Sequence, residues 1–176
     1  KPEFEFAVTR GDEGRSWSRS LGAGVEGRVG TRTSVELGAS YTRRIDDAQW
    51  VSNRGALFSD TTHYTFASLD QNILAVTARA NVTLTPALSV QLYAQPFIAT
   101  GSYADWRELS NARAERYADR FAPYGGGAVP PGFNSKQFNS NAVLRWEYRP
   151  GSALFLVWQQ GRFDPRDPGS FESGRD

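Results

Sequence analysis

The stretch Leu74-Ala75-Val76-Thr77-Ala78-Arg79-Ala80-Asn81-Val82-Thr83-Leu84 decides how the chain is read. Apolar side chains occupy every second position: Leu74, Val76, Ala78, Ala80, Val82 and Leu84. Thr77, Arg79, Asn81 and Thr83 fill the alternate ones. A period of two is the mark of a β-strand with one apolar face. Thr85-Pro86-Ala87-Leu88 makes a tight connection, and the pattern resumes. Val90, Leu92, Ala94, Pro96 and Ile98 now stand opposite Ser89, Gln91, Tyr93 and Gln95. Together the two runs predict an antiparallel hairpin. Pro96 removes a ladder hydrogen bond and predicts a bulge or local break there.

The same alternation recurs on both sides. Upstream, Phe4, Phe6 and Val8 share a face, as do Leu21, Ala23, Val25 and Val29. After a turn at 30–33, Val35, Leu37, Ala39 and Tyr41 alternate with Ser34, Glu36, Gly38 and Ser40. Downstream, Ala142, Leu144, Trp146 and Tyr148 alternate with polar neighbours. Arg149-Pro150-Gly151-Ser152 has turn residues in favourable places, and a strand from Ala153 to Gln160 follows. Seven strands are predicted, with room for an eighth.

The connections alternate in length. Short turns fall near 30–33, 85–88 and 149–152, and longer ones near 10–17, 46–63 and 102–137. Short turns at one end and long loops at the other are the rhythm of an outer-membrane barrel. The expected fold is therefore all-β, an antiparallel up-and-down meander forming part of a transmembrane β-barrel. It spans residues 1–176 as a single segment, with long surface loops at about 46–63 and 102–137. The second loop holds a polar stretch, 112–120, compatible with a short helix. Its Gly125-Gly126-Gly127 and Pro130-Pro131-Gly132 are incompatible with a regular element.

Composition agrees. The longest apolar run, Ala153 to Trp158, is six residues, against the roughly 20 a membrane helix needs. A spanning strand needs only about 9–11, apolar on one face. The chain has 20 Lys plus Arg against 19 Asp plus Glu, which lacks the basic excess of a nucleic-acid binder. With no Cys it has no disulfide framework. With no Met and no signal-like apolar stretch, it is expected to be an excised segment of a larger protein.

If the apolar faces meet lipid, Leu74, Val76, Val82, Leu84, Val90, Leu92 and Leu144 are the lipid-facing set. The lumen-facing charges are then Glu26, Arg28, Glu36, Arg79, Arg145 and Glu147. Folding the 30–33 turn is expected to bring Arg28 opposite or diagonal to Glu36. Tyr41, Tyr64, Tyr103, Trp146 and Tyr148 lie near strand ends and are candidates for interfacial aromatics, which collect at membrane surfaces.

No catalytic, cofactor-binding or metal-binding residue emerges. A Ser-His-Asp arrangement would rest on the single His63. Asp46-Asp47 and Asp164-Pro165-Arg166-Asp167-Pro168 lack the spacing of a calcium loop and read as solvated loop clusters. Glu26 and Glu36, as a carboxylate pair, are better read as lumen charges beside Arg28.

Three stretches carry a resemblance. They are His63 to Asn72, Leu92-Tyr93-Ala94-Gln95-Pro96-Phe97-Ile98, and Phe138 to Ser152 with its Arg145-Trp146-Glu147-Tyr148-Arg149-Pro150-Gly151. They resemble a large, poorly characterised bacterial family. In it a sandwich similar to family 9 carbohydrate-binding modules precedes a C-terminal outer-membrane barrel. The resemblance covers roughly residues 60 to 162 and implies the C-terminal part of that barrel. The carbohydrate-binding-like domain is not among these residues, and no final strand ends in an aromatic residue.

The expected role is thus an outer-membrane barrel segment in transport, secretion or surface scaffolding. The implied partners are outer-membrane lipid, the remainder of the parent barrel, and glycans or a periplasmic partner. The alternative is a soluble β-rich carbohydrate-binding module, or part of a glycan-processing protein, whose apolar face would pack on a second sheet.

Overall fold

The computed structural model describes residues 1–54, 62–127 and 129–166. It is all-β. Seven long strands are β1 (Pro2–Gly11), β2 (Ser16–Val29), β3 (Thr33–Arg54), β4 (His63–Thr85), β5 (Leu88–Leu109), β7 (Gly132–Arg149) and β8 (Ser152–Asp164). An eighth, β6 (Phe121–Pro123), pairs only with the far end of β5. Each long strand pairs antiparallel with the next, in the order β1-β2-β3-β4-β5-β7-β8. Two short 3-10 turns, Asp12–Gly14 and Tyr117–Arg120, complete the regular structure among the described residues.

Gly30 and Gly151 take φ of 67° and 77°. This left-handed conformation is open to glycine at little cost, and it closes the β2–β3 and β7–β8 turns. The tight connections 30–32, 86–87 and 150–151 all lie at one end of the sheet. The connections 12–15 and 110–131 lie at the other.

Four of the strands outrun the sequence pattern. β3 continues to Arg54, β4 begins at His63, β5 continues to Leu109 and β7 begins at Gly132. Much of 46–63 and 102–137 is therefore paired strand, whereas loops were expected there. Residues 55–61 lie outside the described set. The physical reason is that alternation marks where one face is apolar. Where both faces are polar, as in Arg43-Arg44 or Asp70-Gln71-Asn72, a strand has no such signature.

Directly paired residues point to the same side of a sheet, so the register settles which side chains share a face. Val35, Ala80, Leu92, Ala142 and Trp158 form one row. Thr33, Val82, Val90, Leu144 and Leu156 form another. Phe6, Leu21, Tyr41, Leu74 and Ile98 form a third. The apolar sets of the first six long strands thus lie on one face, joined there by Leu154, Leu156 and Trp158 of β8, while Phe155 and Val157 of β8 pair with Arg145 and Val143 on the other. On the other, Glu26, Glu36, Arg79, Tyr93, Asn141 and Gln159 form a polar row.

No second layer covers the apolar face among the described residues. Among the described residues the buried apolar ones are Ala67, Leu69 and Ala99, near the long-loop end. Leu74, Leu92 and Leu156 remain 42%, 46% and 66% exposed. The accessible surface is 12070 Å², against roughly 8,500 Å² for a compact 19.5 kDa monomer. The sheet is a wall, with no interior of the usual kind.

Pro96 interrupts this wall locally. β4–β5 pairing lapses between Ala75↔Phe97 and Ala78↔Ala94, then resumes in the same register. On its other side Pro96 still pairs with Phe138. A local break results, without a bulge.

Candidate functional site

The apolar face is a band of limited height. On β4 it runs from Leu74 to Leu84 and on β5 from Leu88 to Ile98. Eleven residues at about 3.4 Å each run roughly 37 Å along the strand; at the tilt of about 40° usual in outer-membrane barrels they would stand roughly 28 Å tall, close to the apolar belt of about 25 Å around those barrels. Leu74, Val76, Val82, Leu84, Val90, Leu92 and Leu144 all belong to it, and each is exposed or half-exposed. Beyond Leu74 the same face turns polar: Arg19, Arg43, Asn72 and Thr100 form the next row but one from Val8 to Asn134.

Three of the five aromatic candidates border this band. Tyr41 sits in the Leu74 row, its hydroxyl donating to Asn72 Oδ1 at 2.7 Å. Trp146 and Tyr148 stand at the tight-turn end, their rings 6.1 Å apart. Tyr64 is exposed but lies about 34 Å farther along β4 than Leu74, too far to rim the band. Tyr103 is a correction. It pairs with Leu69 on the opposite face and packs against Trp106 and Phe133, because odd positions of β5 face away from the band.

The polar face holds the charged candidates. The expected approach of Arg28 to Glu36 is only diagonal. The three-residue turn sets Arg28 opposite Ser34 and puts Glu26 opposite Glu36. Glu36 receives instead Arg79 from β4, which donates to both carboxylate oxygens at 3.2 Å. Arg145 donates to Glu147 at 2.8 Å along β7. Gly22, Gly24 and Gly38 leave the floor of a shallow concavity of about 580 Å³, bordered by Glu3, Glu5, Glu36 and Arg79.

Two acidic clusters read as solvated loops are engaged. Asp47 accepts the Tyr117 hydroxyl at 2.5 Å and faces Arg107 at 3.0 Å and Arg15 at 3.7 Å. The Arg15 guanidinium lies 3.7 Å over the Tyr117 ring, which meets Phe121 edge-on. This knot ties the 110–131 connection to the β1–β2 connection and β3. Burial, then the hydrogen bond to Asp47, pushes the Tyr117 phenol above its ordinary value. Asp164 is likewise buried, within 3.4 Å of the buried Lys136 and 2.8 Å of Arg166. Arg15, Arg107 and Tyr117 are far from Asp47 in sequence, as Lys136 is from Asp164, which hides these contacts from a linear reading.

His63 Nδ1 lies 2.7 Å from Glu108. Among the described residues no group of three or more His, Cys, Asp or Glu could hold a metal ion. No helix of the described residues is long and apolar enough to cross a membrane, which leaves strand crossing open.

A family model described as Domain of unknown function (DUF5916) matches residues 3–171. No curated protein and no solved structure matches the chain.

Proposed function

The chain belongs to the family described as Domain of unknown function (DUF5916), and from that premise we propose that it forms part of the wall of a bacterial outer-membrane β-barrel. One observation carries this: the register gathers most of the apolar side chains of the seven long strands on one face, and among the described residues no protein layer covers them. An uncovered apolar area of this extent has to meet something other than water. The band's height matches a hydrocarbon slab, and the polar reverse face suits a wet interior. Its role is structural, within a transport, secretion or surface-scaffold protein. The resemblance to barrels that follow a sandwich similar to family 9 carbohydrate-binding modules supports a larger parent with such a domain ahead of it.

The natural absence of cysteine allows a direct test. Leu92→Cys and Gln91→Cys place single thiols on neighbouring residues of opposite faces. In the full-length protein reconstituted into vesicles, a fluorophore at 92 should be quenched by a lipid-borne quencher. One at 91 should react with an aqueous thiol reagent instead. Equal aqueous reactivity at both positions would overturn the assignment.

A further inference from the structure

The polar face is not uniform. Among its charged residues Arg79 is engaged with Glu36 and Arg145 with Glu147. Toward β8 it carries a patch of uncharged groups: Gln91, Tyr93, Asn139, Asn141 and Gln159. Tyr93 pairs with Asn141 and Asn141 with Gln159, while Gln91 and Asn139 stand two residues away on the same faces of β5 and β7. Among the described residues, none of these five side chains makes a hydrogen bond. All five are exposed or half-exposed.

Two shallow hollows, of about 280 and 290 Å³, meet at Tyr93 and Asn141. Gly161 pairs with Asn139 and keeps the space beside it open, since a Cβ there would come within 3.5 Å of the Asn139 amide oxygen. Arg79 lies 5.4 Å from the Tyr93 ring centre and steadies it from one side.

We propose that this tyrosine–amide patch is a contact track for a neutral, polyhydroxylated solute, a saccharide chain. Each amide offers a donor and an acceptor side by side, which matches adjacent hydroxyls. The phenol adds an apolar ring face with a polar tip, suited to a sugar's C–H face and its hydroxyls. An anion would need an uncompensated cation, and Arg79 is already bonded to Glu36. A cation would need a carboxylate, and the patch has none. A peptide strand would seek a free backbone edge, but four of the five side chains stand on β5 and β7, which are paired on both sides, and the edge of β8 is the one the barrel wall has to close. The track deepens the barrel-wall reading, on which its facing a water-filled interior rests.

The test is a titration of the full-length protein in detergent micelles with maltohexaose, followed by the side-chain amide resonances of Asn139, Asn141 and Gln159. Saturable shifts confined to these signals are expected. Tyr93→Ala should weaken the response about tenfold, and Gln159→Ala, on an exposed edge strand, about two- to tenfold. Thr100→Ala, on the opposite face and away from both hollows, should leave it unchanged. Gln159→Ala keeps the test sharp if Tyr93→Ala fails to fold. Absent shifts, shifts insensitive to both variants, or an equal response to a polyethylene glycol of the same mass would overturn the track. Micelles make the titration independent of bilayer insertion. A failed lipid-quenching result at position 92 therefore sinks the wall, and a failed saccharide titration sinks only the track.

Discussion

Leu84 and Leu92 are the same residue type on the same face, with exposures of 48% and 46%. They differ in depth: Leu92 lies well inside the band between Leu88 and Ile98, while Leu84 ends it beside the tight turn. An arginine at each position separates the environments. In water, two equally exposed surface positions should respond alike, within about 0.5 kcal/mol. In a bilayer, arginine costs about 2–4 kcal/mol at mid-depth and about 0–1 near the interface, where its long arm reaches the headgroups. The expected difference between Leu92→Arg and Leu84→Arg is then about 1–4 kcal/mol, roughly fivefold to several hundredfold in the folding equilibrium. Reversible urea unfolding of the full-length protein in vesicles measures it. Two variants within about 0.5 kcal/mol of each other would refute the lipid-facing band, whatever their common loss.

Gly132→Ala should be costly, because a Cβ there would stand 2.1 Å from the Gly101 carbonyl oxygen. A loss of about 1–3 kcal/mol is expected in the same unfolding assay. Gly24→Ala, whose nearest contact would be an ordinary 3.5 Å, should change stability by less than about 0.5 kcal/mol. A double-mutant cycle on Glu36→Gln and Arg79→Gln should give a coupling of about 0.2–1 kcal/mol, since the two side chains are 47% and 53% exposed. A coupling above about 2 kcal/mol would mean that this face is dry. Tyr117 titrates above its ordinary value of 10.0 when its loop is docked, so docking favours the neutral phenol. That stabilisation is complete below pH 10 and is lost as pH rises through the elevated value. Stability measured against pH should therefore fall more steeply above pH 10 in the natural chain than in Tyr117→Phe, and identical profiles would count against the docked arrangement.

The hairpin of Leu74–Leu84 and Val90–Ile98 was legible because one side of each strand is unrelievedly apolar. The same holds for Leu21–Val29 and Val35–Tyr41, and it sufficed for the strand order. Register was less legible: two residues in the length of the turn after Val29 decide whether Arg28 faces Glu36 or Ser34. Strand ends were least legible, since Arg43-Arg44 or Asp70-Gln71 alternate nothing. Of the candidate site, the faces of Leu92 and Arg79 followed from parity alone. Parity would also have placed Tyr103 away from the band, had position been weighed before proximity to a strand end. Asp47 with Arg15, Arg107 and Tyr117 had no local signal, because only the folded sheet brings those four together.

The two readings of the oily face place their unmet needs in different parts of the molecule. A soluble sandwich leaves its edges to water and has to cover Leu92, Trp158 and their row with a second sheet. A bilayer wall is the reverse, with its face satisfied by hydrocarbon and its edges not. Among the described residues β1 and β8 each pair on one side only. About half the residues of β8 would point backbone N–H and C=O groups outward. In hydrocarbon each unmet group costs several kcal/mol, so an unpaired β8 would lose tens. Such a wall is stable only if β1 and β8 meet each other or meet further strands. Cross-linking from both Trp158→Cys and Gln159→Cys on β8 should therefore capture a strand lying edge to edge, whereas cross-linking from Leu92→Cys on β5, which is paired on both sides, should capture no further protein. A protein partner recovered from position 92 would place a cover over the face, as a sandwich requires.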